Sequence, residues 1–204
     1  MRKESKIMKT TELTKRNSGL RTQDSELTKR NSGLRTQDSE LVKAVFFDRD
    51  GVLNIDHGYV YKSEDWQWTP GAIQAIKWCN DNDFLVIVVT NQSGVARGYY
   101  SEADVVSLHT WVNEDLNRCE ARIDAFYYCP HYPDGKVAEY AIECTCRKPQ
   151  PGMLLAAIAK YDIDVEFSLM FGDKPSDIDA ATAAGIRGVL VGKNAGFPDI
   201  SALV

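Results

Sequence analysis

Eight residues constrain this chain more than any others: Val45-Phe46-Phe47-Asp48-Arg49-Asp50-Gly51-Val52, an apolar run that stops at two carboxylates spaced i, i+2 and a glycine. A short run rich in Val and Phe reads as a strand buried on both faces. At the C-terminal end of a strand, residues i and i+2 point the same way. Asp48 and Asp50 are therefore expected side by side where an open α/β sheet holds its ligand. Adjacent carboxylates repel unless a cation lies between them, so the pair predicts a divalent metal with oxygen ligands. One carboxylate could then act as nucleophile while the other moves a proton. Alone, the D-x-D-G tetrapeptide fits a plain strand-to-turn junction as well, because Asp and Gly are frequent turn residues. The other strand ends decide.

Four further apolar runs follow with helical patterns between them. Strands are expected at Val42 to Phe47, Phe84 to Val89, Ile123 to Tyr128, Phe167 to Phe171 and Gly188 to Val191. A helix opens after Pro70 and runs to about Asn80, with Ala72, Ile73, Ala75 and Ile76 inward. Ser101 with Asp104 reads as a capping box before the apolar stripe Val105, Leu108, Val112 and Leu116. Pro151-Gly152-Met153 opens a helix with Leu154, Leu155 and Ile158 inward, and Ala180 to Ala184 form a small-residue helix suited to close packing. Trp66 and Trp68 read as packing residues, Cys79 and Cys119 as buried thiols. This alternation predicts a parallel, doubly wound α/β sheet with one crevice at its C-terminal edge.

Polar clusters fall where that crevice would lie. Asn54 to Val60 leaves the same strand end as the Asp pair. The second strand ends in Thr90-Asn91-Gln92-Ser93-Gly94, hydroxyls, amides and backbone N–H groups that suit phosphate oxygens, with Arg97 close behind. The fourth ends in Gly172-Asp173-Lys174-Pro175-Ser176-Asp177; Asp173 would join Asp48 on a hard cation, and Asp177 could order Lys174 or a metal-bound water. Between them, Cys129-Pro130-His131 and Cys144-Thr145-Cys146 are separated by twelve residues. Three thiols and an imidazole are a familiar tetrahedral zinc set, and four protein ligands close the site, so its role is structural. Arg147 and Lys148 come directly after the last ligand, where the metal would fix their direction toward a phosphoryl group.

The segment Glu12 to Ser25 is repeated without change as Glu26 to Ser39. Each copy has a single leucine line and an Asn-Ser-Gly break, too little for a coiled coil or a repeat fold. Residues 1–40 therefore read as a disordered or adventitious extension, expected to be dispensable for turnover, and 41–204 as one domain. The extension carries net +4 and the remainder net −9. An acidic body argues against nucleic acid as the main partner. No apolar run approaches a membrane span, and the basic N-terminus lacks the apolar core of a secretory signal. Five cysteines without a disulfide pattern suit a reducing cytoplasm. The expected state is a cytoplasmic monomer acting on a small phosphorylated molecule.

From about Lys43 to Val191 the sequence resembles the haloacid dehalogenase superfamily, in the branch of the D-glycero-D-manno-heptose-1,7-bisphosphate 7-phosphatases. The histidinol-phosphate phosphatase domain is a close relative. The resemblance is carried by DRDGV with NIDHGYV, VVTNQSGVARG, YYCPH, CTCRKPQPGM and GDK, and by the twelve-residue spacer. It implies an HAD-like fold without a large cap. It further implies that Asp48 attacks phosphorus to form an aspartyl-phosphate, while Asp50 protonates the leaving oxygen and then activates water. Mg²⁺ would bind Asp48, the Asp50 carbonyl and Asp173. Thr90, Arg147 and Lys148 would complete the catalytic set. The substrate would be met by Asp48 to Asp50, Asp56, His57, Gly58, Tyr59, Thr90 to Ser93, Arg147, Lys148 and Lys174. Cys129, His131, Cys144 and Cys146 would bind zinc. The implied reaction removes the 7-phosphate, in the supply of heptose for a surface glycan. Histidinol-phosphate hydrolysis and a non-catalytic zinc-stabilised binding module are the alternatives. Two departures stand out: Val52 where Thr is frequent, and a short C-terminus, which leaves any substrate contact from that end in question.

Overall fold

The apolar runs assemble into one sheet. The computed structural model describes residues 21–24 and 41–203. Its strands are β1 (Arg21–Asp24), β2 (Ala44–Phe47), β3 (Leu85–Asn91), β4 (Ala125–Cys129), β5 (Leu169–Gly172) and β6 (Arg187–Leu190), in the order β1-β4-β3-β2-β5-β6. The strands β2 to β6 run parallel to their neighbours and β1 runs antiparallel to β4. The helices are α1 (Ala72–Asp81), α2 (Gly94–Arg97), α3 (Glu102–Asn117), α4 (Gly152–Tyr161) and α5 (Pro175–Ala183). From β2 the chain winds first toward β3 and β4, then returns to β5 and β6 on the other side. The direction reverses at β2, which places the crevice at its C-terminal end, where Asp48 and Asp50 emerge.

Alternation along β2 divides the core. Val45 and Phe47 join Ala72, Ala75 and Ile76 of α1 and Leu108, Val112 and Leu116 of α3. Ala44 and Phe46 join Met153, Leu154 and Ala157 of α4 and Ala180 and Ala181 of α5. Every β2 side chain is buried, which is why the run reads as uniformly apolar. The Phe47 ring stacks on Phe171 at 5.4 Å, and each such burial contributes about 1.5–3 kcal/mol. Ser101 and Asp104 form the expected capping box at the start of α3, with Ser101 N donating to Asp104 Oδ2 at 2.7 Å and Asp104 N to Ser101 Oγ at 3.2 Å.

Several elements differ from expectation. In α4, Leu154 is buried but Leu155 is 47% exposed, and Met153, Ala157 and Tyr161 take the inward places. The helix is rotated by its first residue: a Cβ on Gly152 would lie 2.3 Å from the Thr145 carbonyl oxygen, so only glycine permits this docking. Cys119 is exposed because α3 ends at Asn117. Phe167 is also exposed, two residues ahead of β5.

Arg21–Asp24, from the stretch read as a disordered extension, instead form the edge strand β1; the rest of residues 1–40 lie outside the described residues. The parallel sheet leaves one edge of β4 open, and a row of unpaired backbone groups attracts a partner strand. Side chains fix the register: Arg21 Nε meets Glu102 at 2.8 Å, Gln23 donates to Thr110 Oγ1 at 2.9 Å, and Asp24 pairs with Lys160 and accepts from Tyr161 Oη. After β6 the chain turns back over the sheet, setting Phe197 against Phe47 and Phe171 at ring distances of 5.4 and 5.7 Å. Among the described residues no helix is long and apolar enough to cross a membrane.

Candidate active site

Asp48 leaves β2 almost fully buried. Lys148 Nζ lies 2.8 Å from Asp48 Oδ1 and 2.7 Å from Asp177 Oδ1, and donates to the Val89 carbonyl at 2.8 Å. Burial opposes the ammonium charge, but Asp48 and Asp177 outweigh it and hold the Lys148 pKa above its ordinary value. Asn91 fixes the lysine's main chain, donating to the Lys148 carbonyl and accepting from its N–H, both at 3.0 Å. The two segments are far apart in sequence, so this clamp arises only from the fold.

One carboxylate oxygen from each of Asp48, Asp173 and Asp177 falls within 4.8 Å of the others. Asp177 is already committed, to Lys148 and to the Lys174 N–H at 3.0 Å. Asp173 is not. Both its oxygens are buried without a hydrogen-bond partner among the described residues, and Lys174 Nζ stands 3.5 Å away. Burial raises the Asp173 pKa; Lys174 opposes this, while Asp48 and Asp177 add to it. A buried, under-coordinated carboxylate facing another carboxylate suits a hard divalent cation. Gly51 makes room for it: its φ is +92°, and a Cβ there would stand 2.5 Å from Asp173 Oδ2.

Asp50 points away from that cluster. Its carboxylate accepts from Arg49 Nη2 at 2.9 Å on both oxygens, from Asn54 Nδ2 at 3.1 Å and from Gln92 Nε2 at 2.9 Å. Gln92 also donates to Thr90 Oγ1 at 2.9 Å and accepts from Tyr100 Oη at 2.7 Å. Three residues expected at the substrate have side chains engaged within the protein. Arg49 and Gln92 are buried and spend their polar atoms on Asp50 and its neighbours, and Asn91 spends its amide on Lys148. Asp48 and Lys148 meet at 2.8 Å, Thr90 Oγ1 accepts from Gln92, Lys174 stands beside Asp173, and Arg147 Nη1 donates to the His131 carbonyl at 3.3 Å.

The loop Asp56 to Tyr59 stands at the rim, with His57, Gly58 and Tyr59 exposed. Asp56 is secured from a segment that sequence reasoning left out. Lys193 Nζ lies 2.8 Å from Asp56 Oδ2, Asn194 Oδ1 accepts from Asp56 N at 2.8 Å, and Asn194 N donates to the Gly51 carbonyl at 2.8 Å. Burial tends to raise the Asp56 pKa, but the hydrogen bonds from Lys193 and Gly58 lower it overall. Tyr59 meets Tyr99 edge to face at 4.7 Å, and Tyr132 carries the guanidinium of Arg97 at 4.0 Å and of Arg147 at 5.2 Å. Tyr100, His109 and Asn194 carry no usable sequence signal, since their roles lie in tertiary contacts.

Beyond β4, the Cys146 Sγ lies 3.3 Å from the Sγ of both Cys129 and Cys144 and 3.5 Å from His131 Nδ1, and Cys129 Sγ is 3.6 Å from that nitrogen. A tetrahedral zinc with ordinary bond lengths sets neighbouring ligand atoms ~3.5–3.8 Å apart, so the donor set and spacing fit one ion. Three thiols this close cannot all ionise alone. Hydrogen bonding with Cys146 pushes Cys129 up, burial pushes Cys144 up, and the Cys129 hydrogen bond helps draw Cys146 down to about 5. Two residues beyond the cluster the chain delivers Lys148 to Asp48.

A strand-end carboxylate with a buried lysine, a metal-ready acid and a second, separately held carboxylate defines an HAD-type phosphohydrolase, a phosphoric monoester hydrolase. The HAD-hydrolase-like family model matches residues 145–199. The chain is 46% identical over 151 residues to the D-glycero-beta-D-manno-heptose-1,7-bisphosphate 7-phosphatase of Pasteurella multocida, covering 74% of this chain and 82% of that one. It is 46% identical over 145 residues to the D-glycero-alpha-D-manno-heptose-1,7-bisphosphate 7-phosphatase of Photorhabdus laumondii, covering 71% and 79%. The D,D-heptose 1,7-bisphosphate phosphatase of B. bronchiseptica, solved with magnesium and phosphate, superposes with a TM-score of 0.66 at 36% identity, over 75% of this chain and 83% of that one. This chain belongs to the heptose-1,7-bisphosphate 7-phosphatase family.

Proposed function

We propose that the chain hydrolyses the 7-phosphate of D-glycero-D-manno-heptose 1,7-bisphosphate through an aspartyl-phosphate on Asp48. The observation that carries this is the placement of Asp48 between Lys148 at 2.8 Å and the carboxylate of Asp173, whose buried oxygens accept no hydrogen bond among the described residues. Asp48 attacks phosphorus in line with the leaving sugar oxygen. Lys148 and Thr90 stabilise the charge on the transferring oxygens. Asp50 gives its proton to the sugar oxygen as the P–O bond breaks, then takes one from the water that hydrolyses the intermediate. Asp48, Asp173 and the Asp50 main chain would hold Mg²⁺, which would supply electrostatic neutralisation of the phosphoryl oxygens. Arg147, Ser93, Lys174 and the Asp56 to Tyr59 loop hold the sugar and its second phosphate. Zinc on Cys129, His131, Cys144 and Cys146 ties the long loop so that Arg147 and Lys148 arrive correctly.

The relatives' names include both anomers at C1, so kcat/KM for the alpha and beta bisphosphates and for histidinol phosphate is the deciding comparison. Preference for a heptose bisphosphate is expected; preference for histidinol phosphate would overturn the substrate assignment. Asp48→Asn should remove turnover from a folded protein, and full activity in that variant would end the mechanism.

A further inference from the structure

The mechanism above gives no role to the buried polar groups behind Asp50, and one of them, His109, faces Arg49 from α3. His109 lies on the inner face of α3, fully buried, its ring stacked on Phe126 at 4.2 Å with a 13° tilt. Its Nε2 is 3.4 Å from Arg49 Nη1. A guanidinium has only donors, so the Nε2 facing it must be the bare nitrogen, and the ring is neutral with its proton on Nδ1. Burial and then the Arg49 charge both push the His109 pKa well down, in agreement with that tautomer. The Nδ1 has no hydrogen-bond partner among the described residues. A buried donor without a partner costs stability, so packing alone favours an apolar ring here.

Arg49 is the link. Its Nη2 donates to the Val60 carbonyl at 2.6 Å and to Asp50 at 2.9 Å, and its Nε reaches Asp50 Oδ1 at 3.2 Å. Val60 holds one side of the guanidinium and His109 another; the remaining edge faces Asp50. From the opposite side Tyr100 holds Gln92, which holds Asp50. We propose that His109 is a positioning residue for the reaction: by accepting from Arg49 it fixes the fork that aims Asp50 at the leaving oxygen. The inference rests on the reading of Asp50 as the proton donor.

The leaving group provides the test. A sugar alkoxide needs the proton of Asp50, whereas 4-nitrophenolate leaves without one, and kcat/KM reports the steps through phosphoryl transfer. His109→Phe keeps the stack on Phe126 and removes the acceptor. It should lower kcat/KM about tenfold or more on heptose bisphosphate, since a well-placed general acid is worth roughly 10²–10⁴-fold, yet change it by less than about threefold on 4-nitrophenyl phosphate. His109→Asn, which retains an acceptor, should recover part of the loss on the sugar. Equal losses on both substrates, or no loss on the sugar, would overturn the inference. Should His109→Phe fail to fold, Arg49→Lys carries the same test, because it keeps the charge and loses the fork; a uniform loss there overturns the inference equally. Asp48→Asn keeps the two readings apart. If that variant stays active the phosphatase mechanism fails, and if it is inactive while His109→Phe acts uniformly only the positioning role fails.

Discussion

Replacing Lys148 with Met removes one charge from a buried group of three and little volume. Lys148 and Asp48 are each 4% exposed and Asp177 is 1% exposed, so water cannot replace the lost partner. Breaking a buried ion pair by deleting one partner typically costs about 3–5 kcal/mol, because the opposing charge stays buried and unpaired. Two carboxylates are left here, at 2.8 and 2.7 Å from the missing ammonium, which places the cost toward the upper end. For a domain of this size each kcal/mol moves Tm by about 2–4 °C, so a fall of roughly 10–15 °C is expected without added divalent cation. Mg²⁺ should return part of it, since a cation on Asp48 then offsets the charge that Lys148 had balanced. Urea unfolding with and without Mg²⁺ measures both parts. Arg118→Ala, which breaks a pair with Asp115 from a 74% exposed side chain, should leave Tm unmoved and serves as the control. A Lys148→Met variant within 1 kcal/mol of the parent in Mg²⁺-free buffer, by the same measure, would refute the claim that this lysine is a buried counter-charge.

Three further outcomes are expected. Gly51→Ala forces a Cβ to within 2.5 Å of Asp173 Oδ2 at a φ of +92°; it should cost about 1–2 kcal/mol of stability and raise the Mg²⁺ concentration for half-maximal activity, read by a metal titration of the rate. Stripping zinc with a chelator and restoring Mg²⁺ alone should leave activity down by about a hundredfold, the scale of a catalytic group displaced by an ångström, with recovery only when zinc is returned; unchanged activity in protein shown to be zinc-free would contradict the structural role. His109, held neutral with a lowered pKa, binds a proton when unfolded but not when folded. Its stabilising contribution is present above the unfolded value of 6.5 and is lost as pH falls below it, by about 1.4 kcal/mol at pH 5.5. Urea unfolding from pH 8 to 5.5 should show His109→Asn losing less stability than the parent by that amount; parallel slopes would mean that the ring is protonated in the fold.

Much of this protein is legible in one dimension because its signals are local. The strand β2 announces itself since both faces are buried, so no polar residue interrupts it until the chain leaves the sheet. The Asp pair, the TNQSG turn, GDK and the four zinc donors are legible from short spacings at element ends; the structure gathers the four zinc donors and sets Asp173 by Asp48, but the expectation of Asp48 and Asp50 side by side on one cation is not met, because Arg49, Asn54 and Gln92 hold Asp50 apart. The capping box of α3 is equally local. What failed were inferences that need an orientation. The apolar pattern of α4 places Leu155 inward, but the rotation of that helix is set by Gly152 against Thr145, a contact between backbones. The resemblance places Arg49 among the substrate contacts, but it says nothing of where the side chain goes: successive residues at a strand end face opposite sides, and the guanidinium turns into the core toward His109 on α3. The edge strand β1 has a four-residue sequence with no apolar pattern and exists because β4 offers unpaired backbone groups. Asn194 and Lys193 reach Asp56 only because the chain folds back across the sheet after β6. The sequence alone thus determined the chemistry, since reactive groups sit at strand ends that period and composition reveal. The tertiary structure decided which of those side chains are engaged by one another and from which segments, because that depends on distances between segments that no local pattern encodes.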